Sequence, residues 1–221
     1  ALVGENGAGK CTLMKILSGI YPRDGGSVRL YGREINVKST LEAQRLGISI
    51  IHQEINLMQD LTVSENIYIG REPTQGILLN GAKQDAQTNA LLDSLRLTDI
   101  RAGTRVRTLT VAKQQMVEIA KALSFSNTRI LIMDEPTAAL TESEIEDLFT
   151  FIRRLKAQGV GIVYISHRME ELRIIADRVT VMRDGKYVGT RNMADVSMDD
   201  IISMMVGRVI YEQPKTKSAV P

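Results

Sequence analysis

The sequence has one cysteine and no tryptophan, and aromatic residues make up only 4% of its 221 residues. A single cysteine excludes an internal disulfide and fits a reducing compartment. So few aromatic rings, with a net charge of only +2, argue against a nucleic-acid partner. The sequence also lacks an apolar run near the roughly 20 residues that cross a bilayer, and we expect no signal peptide.

The composition is that of an ordinary globular protein, with 43% hydrophobic and 24% charged residues. A chain of this length fits one domain that has room for two lobes. The first residue is Ala1 rather than Met, and the first glycine of a loop follows at Gly4. Because buried strands usually run about five or six residues, we expect part of the first strand to be missing.

The segment Gly4–Thr12 has the pattern of a phosphate-binding loop. Its sequence is G-x-x-G-x-G-K-C-T, which differs at one position from G-x-x-x-x-G-K-[ST]. Glycines let the backbone wrap around a polyphosphate, and a helix from about Lys10 to Ser18 would direct its positive end at the same anion. The alternative is a glycine-rich turn that binds nothing. The residues predicted to bind the phosphates are Gly4, Glu5, Asn6, Gly7, Ala8, Gly9, Lys10, Cys11 and Thr12.

Cys11 occupies the position where this motif has a hydroxyl that binds magnesium. A neutral thiol is a poor substitute, because magnesium prefers hard oxygen ligands. The thiol would lie at a helix N-terminus beside Lys10, and both features predict a lowered pKa and a reactive cysteine. The alternative is an inert thiol that only fills the volume of a serine.

A second strong signal is Asp134-Glu135, which follows the apolar run Ile130–Met133. Such a run suits a strand that is buried on both faces of a parallel sheet. In a chain with a phosphate loop, Asp134 is the expected magnesium partner, and Glu135 is placed to orient or activate a water. The alternative is a pair of carboxylates at the start of the next helix.

Gln53 and His167 are weak signals individually, but each follows a predicted buried strand. Parallel strands would bring both residues to the sheet edge that carries the phosphate loop and Asp134. We therefore predict that Glu135, His167 and Gln53 are catalytic residues. The predicted metal ligands are Asp134, Gln53 and Cys11.

The remaining pattern predicts a small antiparallel pair over residues 27–37 and a mostly helical insertion over about 57–108, with a loop at 74–81. Capping boxes are predicted at Ser39 with Glu42 and at Thr141 with Glu144. The polar residues after 208 indicate a linker.

With these motifs assembled, the chain resembles the ATP-binding subunits of ABC transporters, most closely sugar importers of the ribose, galactose and xylose type. Gln53 matches the glutamine loop, Glu135 the catalytic glutamate and His167 the switch histidine, while Leu109–Gln115 takes the place of the L-S-G-G-Q signature. The resemblance covers essentially the whole chain. It implies an α/β fold of the P-loop NTPase (RecA-like) type, with a mostly parallel sheet, a small antiparallel β portion and a helical insertion. It also implies an ATP-binding domain over 1–208, with a core lobe at 1–56 and 129–208 and a helical subdomain at 57–128, followed by a linker at 209–221.

The resemblance further implies ATP and Mg²⁺ as cofactors and a second ATP-binding domain, fused or paired, as a partner. Each ATP would lie on one domain's phosphate loop and face the other domain's signature residues Thr110, Val111, Ala112 and Lys113. Transmembrane permease subunits would be driven by closure, with an extracytoplasmic sugar-binding protein acting indirectly. The chain would then work at the cytoplasmic face of the cell membrane as a peripheral subunit.

The chain departs from the family's pattern at three places. Cys11 replaces a serine or threonine, Ala112 and Lys113 replace a glycine and a glutamine of the signature, and no aromatic residue precedes Gly4 to stack on adenine. These departures leave two alternatives to an ATPase that powers carbohydrate import. One is a degenerate half-site that binds ATP as a switch, and the other is a phosphotransferase built on the same loop.

Overall fold

The structure is a computed structural model that describes residues 1–125 and 128–207. Its strands are β1 (Leu2–Val3), β2 (Val28–Leu30), β3 (Arg33–Ile35), β4 (Ile48–Ile51), β5 (Thr74–Gln75), β6 (Leu78–Leu79), β7 (Ile130–Asp134), β8 (Gly161–Ile165), β9 (Arg178–Arg183) and β10 (Lys186–Asn192). Its α-helices are α1 (Lys10–Leu17), α2 (Thr40–Arg45), α3 (Val63–Tyr68), α4 (Gly81–Ser94), α5 (Val111–Leu123), α6 (Glu142–Ala157), α7 (Met169–Ile175) and α8 (Met198–Val206). Two short 3₁₀ helices cover Val106–Thr108 and Met193–Asp195.

A six-stranded sheet of order β10-β9-β1-β8-β7-β4 forms the centre of the fold. All neighbours in it are parallel except β10, which pairs antiparallel with β9. The turn between these two strands has positive φ at both Asp184 and Gly185, as a two-residue hairpin favours. The strands β2 and β3 form a separate antiparallel pair, as the alternation over residues 27–37 predicts.

The central strands are apolar throughout because helices cover both faces of the sheet. Successive residues point to opposite faces, so Leu131 and Met133 join one apolar cluster while Ile132 joins the other. The first cluster includes residues of α5, α6, α7 and α8, and the second includes Met14 of α1 and Ala43 of α2. This two-sided burial fixes the ends of the strands relative to the flanking helices.

The insertion between β4 and β7 is mostly helical, as predicted, and consists mainly of α3, α4 and α5. A capping box at Thr62 and Glu65 starts α3. Val63, Ile67 and Leu92 pack into the same apolar cluster as the sheet residue Leu131. The structure therefore joins the insertion to the sheet through a continuous core, and the subdomain boundaries remain a prediction.

The prediction of a loop at 74–81 is wrong, because β5 and β6 form a two-stranded hairpin there and α4 already begins at Gly81. The capping box at Thr141 and Glu144 is confirmed. The box at Ser39 is half formed. The Ser39 hydroxyl accepts from Glu42 N, but the Glu42 carboxylate accepts from Lys38 N instead of Ser39 N.

The predicted linker at 209–221 lies outside the described residues. Over 1–125 and 128–207, none of the helices has both the length and the apolar character needed to cross a bilayer.

Candidate nucleotide-binding site

Four segments that carry predicted site residues meet at one edge of the sheet. The phosphate loop follows β1, His167 follows β8, Asp134 ends β7, and Gln53 follows β4. These strands are consecutive neighbours in the sheet, and all of them are parallel. Their carboxyl ends therefore lie side by side, which is where open α/β sheets bind ligands.

Gly4–Gly9 form the loop between β1 and α1, and Lys10, Cys11 and Thr12 form the first turn of α1. Gly7 and Gly9 have φ of +83° and +92°, which other residues rarely adopt. A Cβ on Gly4 would lie 2.3 Å from the Met182 carbonyl oxygen. Gly7 and Gly9 thus allow the backbone conformation of the loop, and Gly4 allows the loop to pack closely on β9.

The Lys10 ammonium lies over the loop to which it belongs. Its Nζ donates to the carbonyl oxygens of Gly4, at 2.7 Å, and Glu5, at 3.1 Å. The helix α1 begins at this lysine, and the N–H groups of its first turn have no acceptor within the helix. The arrangement combines backbone donors, a helix N-terminus and a fixed positive charge, which together suit a polyphosphate.

Cys11 lies beside Asp134, with its Sγ 3.6 Å from Asp134 Oδ2. Partial burial of the thiol, followed by the charge of Asp134 and the hydrogen bond to it, raises the pKa of Cys11. Lys10 and Lys15 act in the opposite direction but more weakly. The prediction of a lowered thiol pKa is therefore wrong, because it took account of Lys10 and the helix start but not of the carboxylate facing them.

Glu135 brings the other predicted catalytic residues together. Its Oε1 is 3.0 Å from His167 Nδ1, and its Oε2 accepts a hydrogen bond of 3.3 Å from Gln53 Nε2. The backbone of Glu135 has φ of +48°, and its N–H donates to the Ile165 carbonyl oxygen at 2.9 Å. Gln53, Glu135 and His167 thus form a polar cluster next to the loop and the Asp134–Cys11 pair.

The donor set of this edge fits magnesium in part. Asp134 supplies hard carboxylate oxygens and Gln53 an amide oxygen, whereas the Cys11 sulfur is a soft atom that magnesium does not favour. Within the described part of the chain, no group of three or more His, Cys, Asp or Glu side chains is arranged to hold a metal ion. The protein donors that fit magnesium are therefore Asp134 and Gln53.

The signature residues lie at the start of α5, away from the phosphate loop. Thr110 is the N-cap, its hydroxyl accepts from Lys113 N at 3.4 Å, and the Lys113 ammonium is 2.7 Å from Asp99 Oδ2. Over residues 1–125 and 128–207, no hydrogen bond or ion pair joins these residues to the loop. Val111 is 41% exposed while Ala112 is only 8% exposed, so Val111 is accessible at this helix start, together with the exposed Thr110.

Sequence reasoning missed the support that the β9–β10 hairpin gives to the loop. Gly185 N donates to the Ala8 carbonyl oxygen at 3.2 Å, and the Met182 carbonyl lies against Gly4. The turn itself agrees with its Asp-Gly pair, which favours a two-residue hairpin. Nothing in a local pattern connects that turn to a loop near residue 8.

Comparison with known proteins agrees with this geometry. The sequence profile of the ABC transporter family matches residues 1–138. The chain belongs to the ABC transporter family. The prediction of an α/β P-loop core with a mostly parallel sheet is also confirmed, because the fold is that of solved ABC cassettes. For example, the ADP conformation of an ATP-binding cassette of an ABC transporter aligns with a TM-score of 0.78 and 25% identity, over 94% of this chain and 87% of that one.

Several curated proteins similar to this chain are named for sugar import. The chain is 60% identical over 218 residues to "Putative ribose/galactose/methyl galactoside import ATP-binding protein 2" of Burkholderia cenocepacia (strain HI2424). It is 50% identical over 213 residues to the galactose/methyl galactoside import ATP-binding protein MglA of Yersinia pestis bv. Antiqua (strain Antiqua). The matches cover 98% and 96% of this chain but only 42% of each relative, so the chain spans about two fifths of their length.

Proposed function

We propose that this ABC family chain binds and hydrolyses ATP to power a membrane importer of carbohydrates. The observation that carries the proposal is the meeting of the phosphate loop, Asp134, Glu135, Gln53 and His167 at one sheet edge. The relatives named as ribose and galactose import ATP-binding proteins support carbohydrate as the cargo. Their names favour this function over a degenerate switch or a phosphotransferase.

In this mechanism the residues at the sheet edge either bind the ATP phosphates or act on the attacking water. The polyphosphate is held by amides of the Gly4–Gly9 loop other than that of Ala8, which donates to the Glu5 carbonyl oxygen, and by the first turn of α1 and the Lys10 ammonium. Glu135 accepts a proton from the attacking water as general base. His167 stabilises the charge that develops on the outer phosphate, and Gln53 orients the water from the opposite side of Glu135.

Magnesium would be held by Asp134 and Gln53, with the remaining ligands coming from phosphates and waters. When bound, the ion would neutralise negative charge on the transferred phosphate. Cys11 would contribute little to its binding, because the thiol already donates to Asp134 and is a soft ligand.

A groove beside Gln53 is the proposed contact with a transmembrane permease subunit. It has a volume of about 320 Å³ and lies between the end of β4, α2, α3 and α5. Its surface mixes apolar side chains with three charged ones, which suits an amphipathic helix of a partner. The residues that carry this mixture are Leu41, Ile50, Ile69, Arg71, Glu118, Lys121 and Phe125.

A second ATP-binding domain, fused or paired, is proposed because the signature residues do not reach the chain's own loop. The N-terminus of α5 would then present its N–H groups to a nucleotide on the other domain. The proposed limits are 1–208 for the ATP-binding domain, with 57–128 as its helical subdomain. The proposed location is the cytoplasmic face of the membrane, where the chain is a peripheral subunit that serves an extracytoplasmic sugar-binding protein indirectly.

Glu135→Gln tests the proposal. The amide keeps the size of the side chain but is a far weaker base, so turnover should fall by about a hundredfold or more, the range for a lost general base. ATP affinity should stay within a few-fold of the parent. The measurements are phosphate release by the full polypeptide assembled with its membrane partner, and ATP titration of the same preparation.

Glu142→Gln is the matched control. Glu142 is exposed in the first turn of α6, and its substitution changes the charge by the same amount. Turnover of this control should equal that of the parent. Unchanged turnover in Glu135→Gln would remove Glu135 from the mechanism, and a parent that binds ATP without releasing phosphate would support the switch instead.

A further inference from the structure

A buried carboxylate, Glu171, lies directly behind the catalytic cluster. It is in the first turn of α7 and is only 4% exposed. Neither the phosphate loop nor the catalytic roles described above involve it. A buried carboxylate is costly unless hydrogen bonds or an opposite charge compensate for its lost hydration, so its partners indicate what it does.

Both oxygens of Glu171 accept hydrogen bonds. Oε1 accepts from Thr137 Oγ1 at 2.8 Å and lies 3.1 Å from Arg168 Nη1. Oε2 accepts from the Tyr164 hydroxyl at 2.7 Å and from Ser166 Oγ at 2.9 Å. Burial, followed by the hydrogen bond to Glu171, raises the pKa of Tyr164, so the tyrosine remains a proton donor throughout the neutral range.

These donors come from the two segments that carry the catalytic residues. Thr137 is two residues after Glu135, while Ser166 and Arg168 are on either side of His167. Ser166 Oγ also accepts from Arg168 N at 3.0 Å, which closes a small ring of hydrogen bonds around the His167 backbone. One carboxylate therefore ties the segment after β7 to the segment after β8.

The His167 side chain needs this support because packing does not hold it. Its side chain is 66% exposed and contacts Glu135. The position of each of these two side chains is therefore set mainly by the position of its own backbone. Glu135 has the left-handed backbone described above, a conformation that persists only where its surroundings impose it. Hydrogen bonds to the flanking residues therefore add to the bond from Glu135 N–H to the Ile165 carbonyl oxygen in setting the His167–Glu135 geometry.

We propose that Glu171 is a positioning residue for ATP hydrolysis, which holds Glu135 and His167 in register through Thr137, Ser166 and Arg168. The inference rests on the proposed function and extends it to a residue that touches neither nucleotide nor water. Its contribution belongs to the chemical step rather than to ATP binding, because the phosphate loop lies on β1 and makes no hydrogen bond to this network over the described residues.

Glu171→Gln is the first test. The variant keeps the shape of the side chain but replaces one carboxylate oxygen by an NH₂ group, which cannot accept a hydrogen bond. Each oxygen now accepts from hydroxyl donors, which would have to rotate and become acceptors, and Arg168 beside Oε1 cannot accept at all. In the assembled full polypeptide, kcat should fall by roughly tenfold to a hundredfold, as small misplacements of catalytic groups do, while the KM for ATP stays within about threefold.

Two further variants keep the test decisive. Glu170→Gln changes the neighbouring exposed carboxylate by the same charge and should leave kcat unchanged. Tyr164→Phe removes a single donor with almost no change in volume, so it reports on the network even where Glu171→Gln folds poorly. It should lower kcat by a smaller factor in the same direction, again without raising KM.

A second measurement does not depend on hydrolysis. The His167 ring gives NMR signals that can be assigned by their loss in His167→Ala. Glu171→Gln should shift these signals. Glu170→Gln should leave them in place.

The outcomes separate this inference from the proposed function. A parent that releases no phosphate contradicts hydrolysis, and the His167 signals then decide alone whether Glu171 positions the cluster. If Glu171→Gln and Tyr164→Phe lower the melting temperature but leave both kcat and the His167 signals unchanged, Glu171 is only a structural residue and the inference is overturned. A rise in KM with unchanged kcat would overturn it as well.

Discussion

Glu135 combines a strained backbone with two neighbours that come from other strands. Its φ of +48° is costly for a residue with a long side chain, and such strain concentrates at functional sites. The position of Glu135 after an apolar strand and Asp134 predicted its role from sequence. The strain and the contacts with Gln53 and His167 were not predictable in detail, because they depend on where β4 and β8 end relative to β7.

At the same scale, Cys11 should react slowly with alkylating agents at neutral pH. Its raised pKa leaves little thiolate, so the rate should climb only as the pH rises above the ordinary thiol value of 9.0. Asp134→Asn removes the carboxylate charge and should increase the rate at a fixed pH, whereas ATP should slow it by covering the loop. Iodoacetamide labelling followed by mass spectrometry measures all three rates. Equal rates in the parent and in Asp134→Asn, with and without ATP, would contradict this account.

His167→Ala should lower turnover by roughly a hundredfold, the range for loss of one donor to developing negative charge. ATP affinity should stay within a few-fold, because the loop and Lys10 hold the phosphates. His167→Gln keeps a hydrogen-bond donor at a similar reach and should recover part of the lost rate. Phosphate release and ATP titration distinguish these effects, and a collapse of affinity in His167→Ala would make the histidine a binding residue instead.

Cys11 also shows where residue-level prediction from sequence stops. Lys10 and the helix start are its neighbours along the chain and could be taken into account. Asp134 is 123 residues away and approaches only because β1 and β7 belong to the same sheet. The pKa of Cys11 is therefore raised rather than lowered partly because the sheet topology brings Asp134 into contact with the thiol.

Among the elements, those with a strong local pattern were predictable. The strand Ile130–Asp134 and the helix Glu142–Ala157 have clear apolar patterns, and a capping box marks the start of the helix. The hairpin of β5 and β6 was missed because each strand has only two residues, which is too short to show alternation. The half-formed box at Ser39 shows that a sequence signal cannot tell which of two adjacent N–H groups a glutamate will accept from.

Glu118 of α5 gives a prediction at the scale of elements, because it joins this helix to the segment after Gln53. Its Oε1 accepts from Asn56 N at 2.7 Å, and burial raises its pKa above the usual 4.5. The folded state thus disfavours the charged form, so stability falls as the pH rises from that value through the folded pKa. Glu118→Gln keeps an acceptor for Asn56 and removes the charge.

This variant should therefore raise Tm at pH 7.5 by a few degrees, which corresponds to about 1 kcal/mol for a chain of this size. The gain should shrink as the pH falls toward 4.5, because the glutamate increasingly takes up a proton in both the folded and the unfolded states. Calorimetry from pH 4.5 to 8 measures the difference. Glu54→Gln, an exposed neighbour of Gln53, is the control that should show no such trend. A gain that is independent of pH would mean that burial of the Glu118 charge is not its cause.

For the molecule as a whole, the sheet order decides which distant residues meet, and the pattern of strands and motifs predicted that meeting.

What the single chain does not provide is a contact between its own signature residues and its own loop. If two copies pair so that each supplies α5 to the other, turnover per chain should rise with protein concentration. Turnover that is independent of concentration would contradict pairing of this chain with itself.

Mixing two inactive variants sharpens this prediction. Lys10→Ala disables the loop, and Val111→Glu places a negative charge at the exposed start of α5. An equal mixture should recover about a quarter of the parent turnover, since in a symmetric dimer half of the pairs are mixed and each mixed pair has one intact site. Each variant alone, at the same total concentration, is the control. No recovery would mean that the second domain is a different chain or that the sites do not form in this way.

The packing of the phosphate loop on the β9–β10 hairpin has a consequence for genetics. A random screen for loss of nucleotide binding would return one group of alleles in the codons of residues 4–12. A second group would lie around Met182 and Gly185, which contact Gly4 and Ala8. On a linear map the two groups would look like separate loci of unrelated function. Second-site suppressors of a bulky substitution at Gly4 should then arise in the hairpin as well as at Ala8, since the added atom would lie 2.3 Å from the Met182 carbonyl oxygen and 2.9 Å from the Ala8 Cβ.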